Sequence, residues 1–164
     1  MAKLLFFDDL KLDDQWVSPS RQMTENDVRQ FAHLTGDFDP LHVDKEFAKE
    51  TPFRQPIAHG LLGLSLVAGL GSESPCVETV AFLGVQDWKF RHPIFFGDTL
   101  HVLTTVTGLV ANGRRRGQVT WHRKLMNQED LVVQEGKFMS LVACRIASLH
   151  RRSTPAGNNF ASTS

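Results

Sequence analysis

The stretch from Ile57 to Leu70, IAHGLLGLSLVAGL, holds no Asp, Glu, Lys or Arg, and apolar or small residues occupy every turn of it. Its length and texture predict a helix, and a helix that is apolar nearly all the way round is buried on most sides. It falls short of the roughly 20 residues that cross a bilayer, and His59 and several glycines interrupt it. The chain must therefore fold around this segment. From Val77 onward the texture changes to that of strands: VETVAFLGVQDWKF, DTLHVLTTVTGLV, QVTWHRKLMNQ and LVVQEGKFMSLVACRIA follow one another, with turn signals at HPIFFGD, ANGRRRG and NQED. Long strands in succession read as an antiparallel meander. A buried helix followed by such strands predicts an α+β layout in which the sheet wraps the helix.

The chain has 164 residues, 41% of them hydrophobic, enough for the core of one ordinary domain. That domain is expected to span residues 1–147. Residues 148–164, rich in Ser, Asn, Gly and Pro, read as a disordered tail. Eighteen basic side chains balance 18 acidic ones, so no general charge points to nucleic acid or to an anionic membrane surface. Small molecules and proteins are left as partners. Cys76 and Cys144 match no metal-ligand spacing and read as reduced, half-buried thiols of a cytoplasmic protein. The apolar run Leu4 to Phe7 is cut off by Asp8 and Asp9, too brief for a secretion signal.

Chemistry concentrates in GDFDPLHVD, residues 36–44. Before it, MTENDVRQFAHLTG offers Thr24 as an N-cap and Asp27 as the capping-box acid. Val28, Phe31, Ala32 and Leu34 then recur at helical spacing until Gly36. After it, DKEFAKE reads as a short helix started by Asp44, and TPFRQP as a loop between prolines. GDFDPLH is then the loop leaving the first helix, and Pro40 stiffens it by fixing its own φ and biasing Asp39 towards extended backbone. A carboxylate, Asp37, and an imidazole, His42, on one stiff loop suit the orientation of a water and the exchange of protons with it near neutral pH. The plainer alternative has Asp37 and Asp39 bracing turns and His42 as a satisfied histidine, a common use of such loops.

The order of the parts is similar to that of a known family. FAHLTGDFDPLHVDKEFAKE, then PIAHGLLGLSL, then FRHPIFFGDTL resemble the MaoC-like hydratases, which include the (R)-specific enoyl-CoA hydratases of the hot-dog fold. The resemblance runs from about Phe6 to Ala147. It implies an antiparallel sheet around a long central helix, with additional overhang helices carrying the active-site loop. It also implies a homodimer, acyl-CoA thioester substrates, and no cofactor or metal beyond the coenzyme A of the substrate. Carried over position by position, the catalytic pair falls on Asp37 and His42, which hold the water added to a trans-2-enoyl thioester. The N–H of Gly60 becomes the donor to the thioester oxygen, a task that suits an unpaired N–H at the positive end of a helix. Pro40, Phe53, His59, Leu62 and Leu66 are the candidates for substrate contact. The family usually has Asn where this chain has Asp39. Either Asp39 orients groups in the pocket, where two carboxylates would repel and one would hold its proton more tightly, or it turns away to bond backbone.

Basic residues offer two places for the phosphates of coenzyme A: Arg114, Arg115 and Arg116 beside the Asn112–Gly113 turn, and Lys89, Arg91 and His92. The plainer reading of each is a solvated surface. Asp98 in GDTL reads as structural. Two other functions fit the same fold, namely hydrolysis of an acyl-CoA thioester and an inert acyl-CoA-binding or accessory subunit.

Overall fold

The computed structural model describes residues 3–145, so the expected tail at 148–164 lies outside the described residues. Two short strands, β1 (Gln15–Val17) and β2 (Arg21–Gln22), precede three helices, α1 (Glu25–Thr35), α2 (Pro40–Val43) and α3 (Lys45–Lys49). The long helix α4 (Gly60–Glu73) follows. Four long strands complete the order: β3 (Thr79–Phe90), β4 (Thr99–Asn112), β5 (Arg116–Met126) and β6 (Val132–Ala143). The six strands form an antiparallel sheet in the order β1-β4-β5-β6-β3, with β2 also on β4. Helix α4 packs against β4 and β5. This is the α+β architecture expected, a sheet on one central helix with overhanging shorter helices.

Helix α1 forms where its signals lie. The Thr24 hydroxyl accepts from the Asp27 N–H at 3.1 Å, and the Asp27 carboxylate accepts from the Thr24 N–H at 2.9 Å. At the other end Gly36 takes φ +79° and donates its N–H to the Ala32 carbonyl at 2.8 Å, which turns the chain into the loop that follows. Val28 and Ala32 are fully buried, and Val28 joins the hydrophobic core.

The strands carry the core on alternate residues. Leu100, Val102 and Val106 of β4, Val119, Trp121 and Leu125 of β5, and Phe138 and Val142 of β6 point inward, joined by Val67 and Leu62 of α4. Arg123 occupies one of these inward positions. It donates from Nη2 to the Gly71 carbonyl at 2.9 Å and from Nη1 to the Val67 carbonyl at 3.4 Å, and its guanidinium lies over the Phe138 ring at 4.8 Å. Burial lowers its pKa to about 10, so it remains a cation at neutral pH and ties α4 to the sheet.

Four expectations change. The helix predicted over Ile57–Leu70 runs from Gly60 to Glu73, because Ile57 forms a bridge with Phe95 and the Ala58 N–H bonds the Ile94 carbonyl at 2.8 Å. Nor is α4 buried on most sides. Leu62, Gly63, Val67 and Gly71 face the core, whereas Leu61 is 60% exposed, and Ser65, Ala68 and Gly69 are exposed with it. The strands are not a simple meander: β4, β5 and β6 are, but β3 pairs with β6 at the far edge. Residues 91–98 therefore cross the end of the sheet, past the start of α4, instead of making a tight turn. Finally, the loop after α1 contains the single helical turn α2, which Asp39 caps. Among the described residues no helix is long and apolar enough to cross a membrane, and both cysteines are free thiols.

Candidate active site

The Gly36 turn places Asp37 beside His42 and His59, and His42 lines a cavity of about 300 Å³ together with Phe53, Ile57, Ala58, Gly60, Phe90, Gln134 and residues 91–94. Helix α2 orients His42. Pro40 stands at its first position, where a missing N–H does no harm, and the Asp39 carboxylate accepts from the Leu41 N–H at 2.9 Å. His42 Nδ1 lies 2.7 Å from the Ile57 carbonyl oxygen. A carbonyl only accepts, so Nδ1 carries the hydrogen and Nε2 is left as the basic nitrogen.

His59 stands beneath this pair and is 2% exposed. Its Nε2 donates to the Asp37 backbone carbonyl at 3.0 Å and lies 3.9 Å from the Asp37 carboxylate. Its ring stacks on that of His42 with centroids 3.9 Å apart, and Phe31 packs on it at 5.0 Å. His59 is therefore a floor that sets the height of both Asp37 and His42. One nitrogen or oxygen atom of each of Asp37, His42 and His59 lies within 4.8 Å of the others. One water spans such a separation with two hydrogen bonds. The same three side chains have the spacing of cation ligands, and the carbonyl bonds of His42 Nδ1 and His59 Nε2 leave the other nitrogen of each ring as the one that can face a water or an ion.

His59 is also the residue before α4, and its side chain makes no cap bond, so the Gly60 N–H has no partner from that side chain. A Cβ at position 60 would come within 2.9 Å of the Phe90 ring, so only glycine leaves room beside this N–H. His42 and Gly60 thus line one cavity, and Asp37 stands beside His42 next to that lining. Phe53 lines it too. Pro40 acts through α2, and Asp39 is turned into capping, so the picture of a second carboxylate aimed into the pocket does not hold. Leu62 and Leu66 are not in the lining: Leu62 is buried in the core and Leu66 packs against it, on faces of α4 that point elsewhere.

Of the two basic clusters, Arg91 and His92 reach the cavity. The Arg91 guanidinium is held by Glu135 at 2.9 Å, and His122 lies 3.3 Å from the same carboxylate. Partial burial works to raise the Glu135 carboxyl, but Arg91 and His122 outweigh it and hold it below the ordinary glutamate value. Arg114 to Arg116 sit elsewhere. Arg116 pairs with Ala143 at the end of β6 remote from Gln134, about 30 Å of strand away from the cavity of the same chain. The sequence reading missed Phe90, Ile57, Ala58 and Gln134. A signal existed for the last: in LVVQEGKF an amide falls on the row of β6 that alternation assigns to the core.

A family model, the MaoC like domain, matches residues 12–128. The chain belongs to the MaoC-like family. Among its MaoC-like relatives, an (R)-specific enoyl-CoA hydratase of Rhodospirillum rubrum is 37% identical over 108 residues, which cover 65% of this chain and 73% of that one. The crystal structure of a MaoC-like dehydratase from the same organism superposes with a TM-score of 0.77 at 29% identity, covering 86% of this chain and 98% of that one. A Mycobacterium tuberculosis protein described as a double hot-dog fold shares the architecture alone, with a TM-score of 0.77 at 20% identity over 93% of this chain and 46% of that one. The fold is the hot-dog fold, and the MaoC-like family to which the chain belongs has members named as hydratases and dehydratases.

Proposed function

We propose that this protein is an (R)-specific enoyl-CoA hydratase, adding water to a trans-2-enoyl-CoA to give the (R)-3-hydroxyacyl-CoA or catalysing the reverse dehydration. The observation that carries the proposal is that His42 and Gly60 line one cavity while Asp37, beside His42, has a polar atom within 4.8 Å of polar atoms of His42 and His59, a gap that one water can span. In this scheme Asp37 and His42 hold the water. His42 Nε2, left without a hydrogen because Nδ1 donates to the Ile57 carbonyl, takes one proton as the water oxygen bonds to Cβ. The electrons of the C=C bond move towards the thioester carbonyl, where the Gly60 N–H meets the developing negative charge. A proton returned to Cα from the same acid/base pair completes the addition, and the thioester stays intact. The substrate brings its own coenzyme A, and no other cofactor enters. A cytoplasmic location fits the two free thiols.

A homodimer is part of the proposal. Edge strand β3 exposes Phe82, Leu83, Val85 and Phe90, and α4 exposes Leu61 beside the small residues Ala68 and Gly69. A long, apolar edge strand beside an uncovered helix face is a poor surface for a lone chain. Sedimentation is expected to give a species near twice the 18.4 kDa chain mass, and a stable monomer would remove this part of the proposal.

The deciding assay follows loss of the enoyl-thioester absorbance of crotonyl-CoA, with product chirality and thiol release measured in parallel. Loss of absorbance without thiol release, giving the (R)-product, is the expected result. Thiol release would instead indicate a thioesterase, and binding without turnover an accessory subunit. Because Asn caps as well as Asp, Asp39→Asn is expected to keep kcat within roughly threefold of wild type.

A further inference from the structure

Gln134 is 2% exposed, on the inward row of β6, between Leu125 of β5 and Phe90 of β3. An amide at such a position is unfavourable unless both of its ends are paired. Both are. Nε2 donates to the Gly60 carbonyl at 3.0 Å, and Oε1 accepts from Trp88 Nε1 at 3.3 Å. A carbonyl only accepts and an indole N–H only donates, so the two partners fix which way round the amide lies. The sequence keeps room for it as well: a Cβ at Gly63, one turn into α4, would fall 2.2 Å from Gln134 Nε2.

We infer that Gln134 is a positioning residue that pins the first turn of α4 from the sheet side and so holds the Gly60 N–H at the place where the thioester oxygen arrives. Helix α4 starts without a side-chain cap, because His59 makes no cap bond and Gly60 has no side chain of its own to pack. A first turn of this kind frays unless something outside the helix grips it. Gln134 grips it at Gly60 itself. Trp88 holds the far end of the amide and packs edge-on against Phe138 at 5.5 Å, so the grip is anchored in the core. The catalytic consequence rests on the hydratase proposal; the grip on α4 does not.

The test uses Gln134→Leu and Gln134→Glu in the full-length protein. Displacement of a reacting group by about 1 Å can reduce rates on the order of 10²-fold, so Gln134→Leu is expected to lower kcat for crotonyl-CoA by roughly 10- to 100-fold, with a much smaller change in KM. The carboxyl of Gln134→Glu has a hydrogen to offer the Gly60 carbonyl only when it is protonated. Its activity relative to wild type should therefore rise as the pH falls through that carboxyl's titration, a dependence that Gln134→Leu lacks. Exchange of the Leu64 amide hydrogen, whose α-helical acceptor is the Gly60 carbonyl, should quicken by roughly tenfold in Gln134→Leu. Unchanged Leu64 exchange, or kcat within about twofold of wild type in both variants, would overturn the inference. If the wild type does not turn over crotonyl-CoA, the hydratase proposal fails, and the exchange measurement alone decides the grip: quickening supports it and an unchanged rate overturns it.

Discussion

His42→Ala is expected to lower kcat for hydration of crotonyl-CoA by roughly 10²- to 10⁴-fold, the range that one proton-transfer group contributes. The substitution removes the base and leaves its setting intact. His42 is only partly buried, and the side-chain bond lost is the one to the Ile57 carbonyl, while its backbone bond to Asp39 stays, so the fold loses little. Asp37→Asn is expected to cause a loss of similar size by removing the charge while keeping the shape. Asp37 is more than half exposed, and its backbone carbonyl, the part bonded by His59, is untouched by the change. The double variant should be little worse than either single one, because two groups that handle one water act as a unit. Circular dichroism and thermal melting of the variants should match wild type. Activity at more than about a tenth of the wild-type rate in either variant would remove that residue from the reaction.

Gly63→Ala is expected to damage both stability and activity. In an exposed helix this change would be favourable by roughly 1 kcal/mol, because alanine is the better helix former. Here the added methyl would fall 2.2 Å from Gln134 Nε2 and 2.8 Å from Ile94 Cδ1. Overpacking of a buried contact costs typically about 1–3 kcal/mol, so the clash outweighs the propensity and the net change is a loss. Gln134 must move to admit the methyl, which breaks its bond to the Gly60 carbonyl. A shift of the urea midpoint to lower concentration, together with a kcat reduced about as much as in Gln134→Leu, is the expected pair of results. A variant as stable and as active as wild type would mean that α4 shifts freely against β6.

Much of the site was legible because its parts lie close together in the chain. Thr24 and Asp27 start α1 by a purely local bond pattern, and Gly36 ends it by taking a φ that favours glycine. Asp37 and His42 follow within one turn and a loop, where residue type and spacing make them candidates and the resemblance to the MaoC-like hydratases singles them out. Gly60 was legible only through the resemblance to the MaoC-like hydratases, because periodicity alone started the helix at Ile57. The candidates Leu62 and Leu66 were misjudged because helical position alone does not tell which face of α4 meets the cavity.

Local signals account for the elements themselves: four long strands, three of them with burial on alternate residues, a capped helix before the Asp–His loop, and a long apolar helix after it. Those follow from periodicity, caps and turn residues, which act over a few positions. The pairing of β3 with β6 was settled only when the sheet assembled, since the order of strands in a sheet depends on contacts between residues far apart in the chain. That pairing sends residues 91–98 across the end of the sheet and brings Phe90 and Gln134 against Gly60. The assembled fold also decided that His59 lies under Asp37 and His42, and that Asp39 caps α2. Contacts between residues so distant in the chain depend on which faces pack together, and no local pattern in the sequence carries that information.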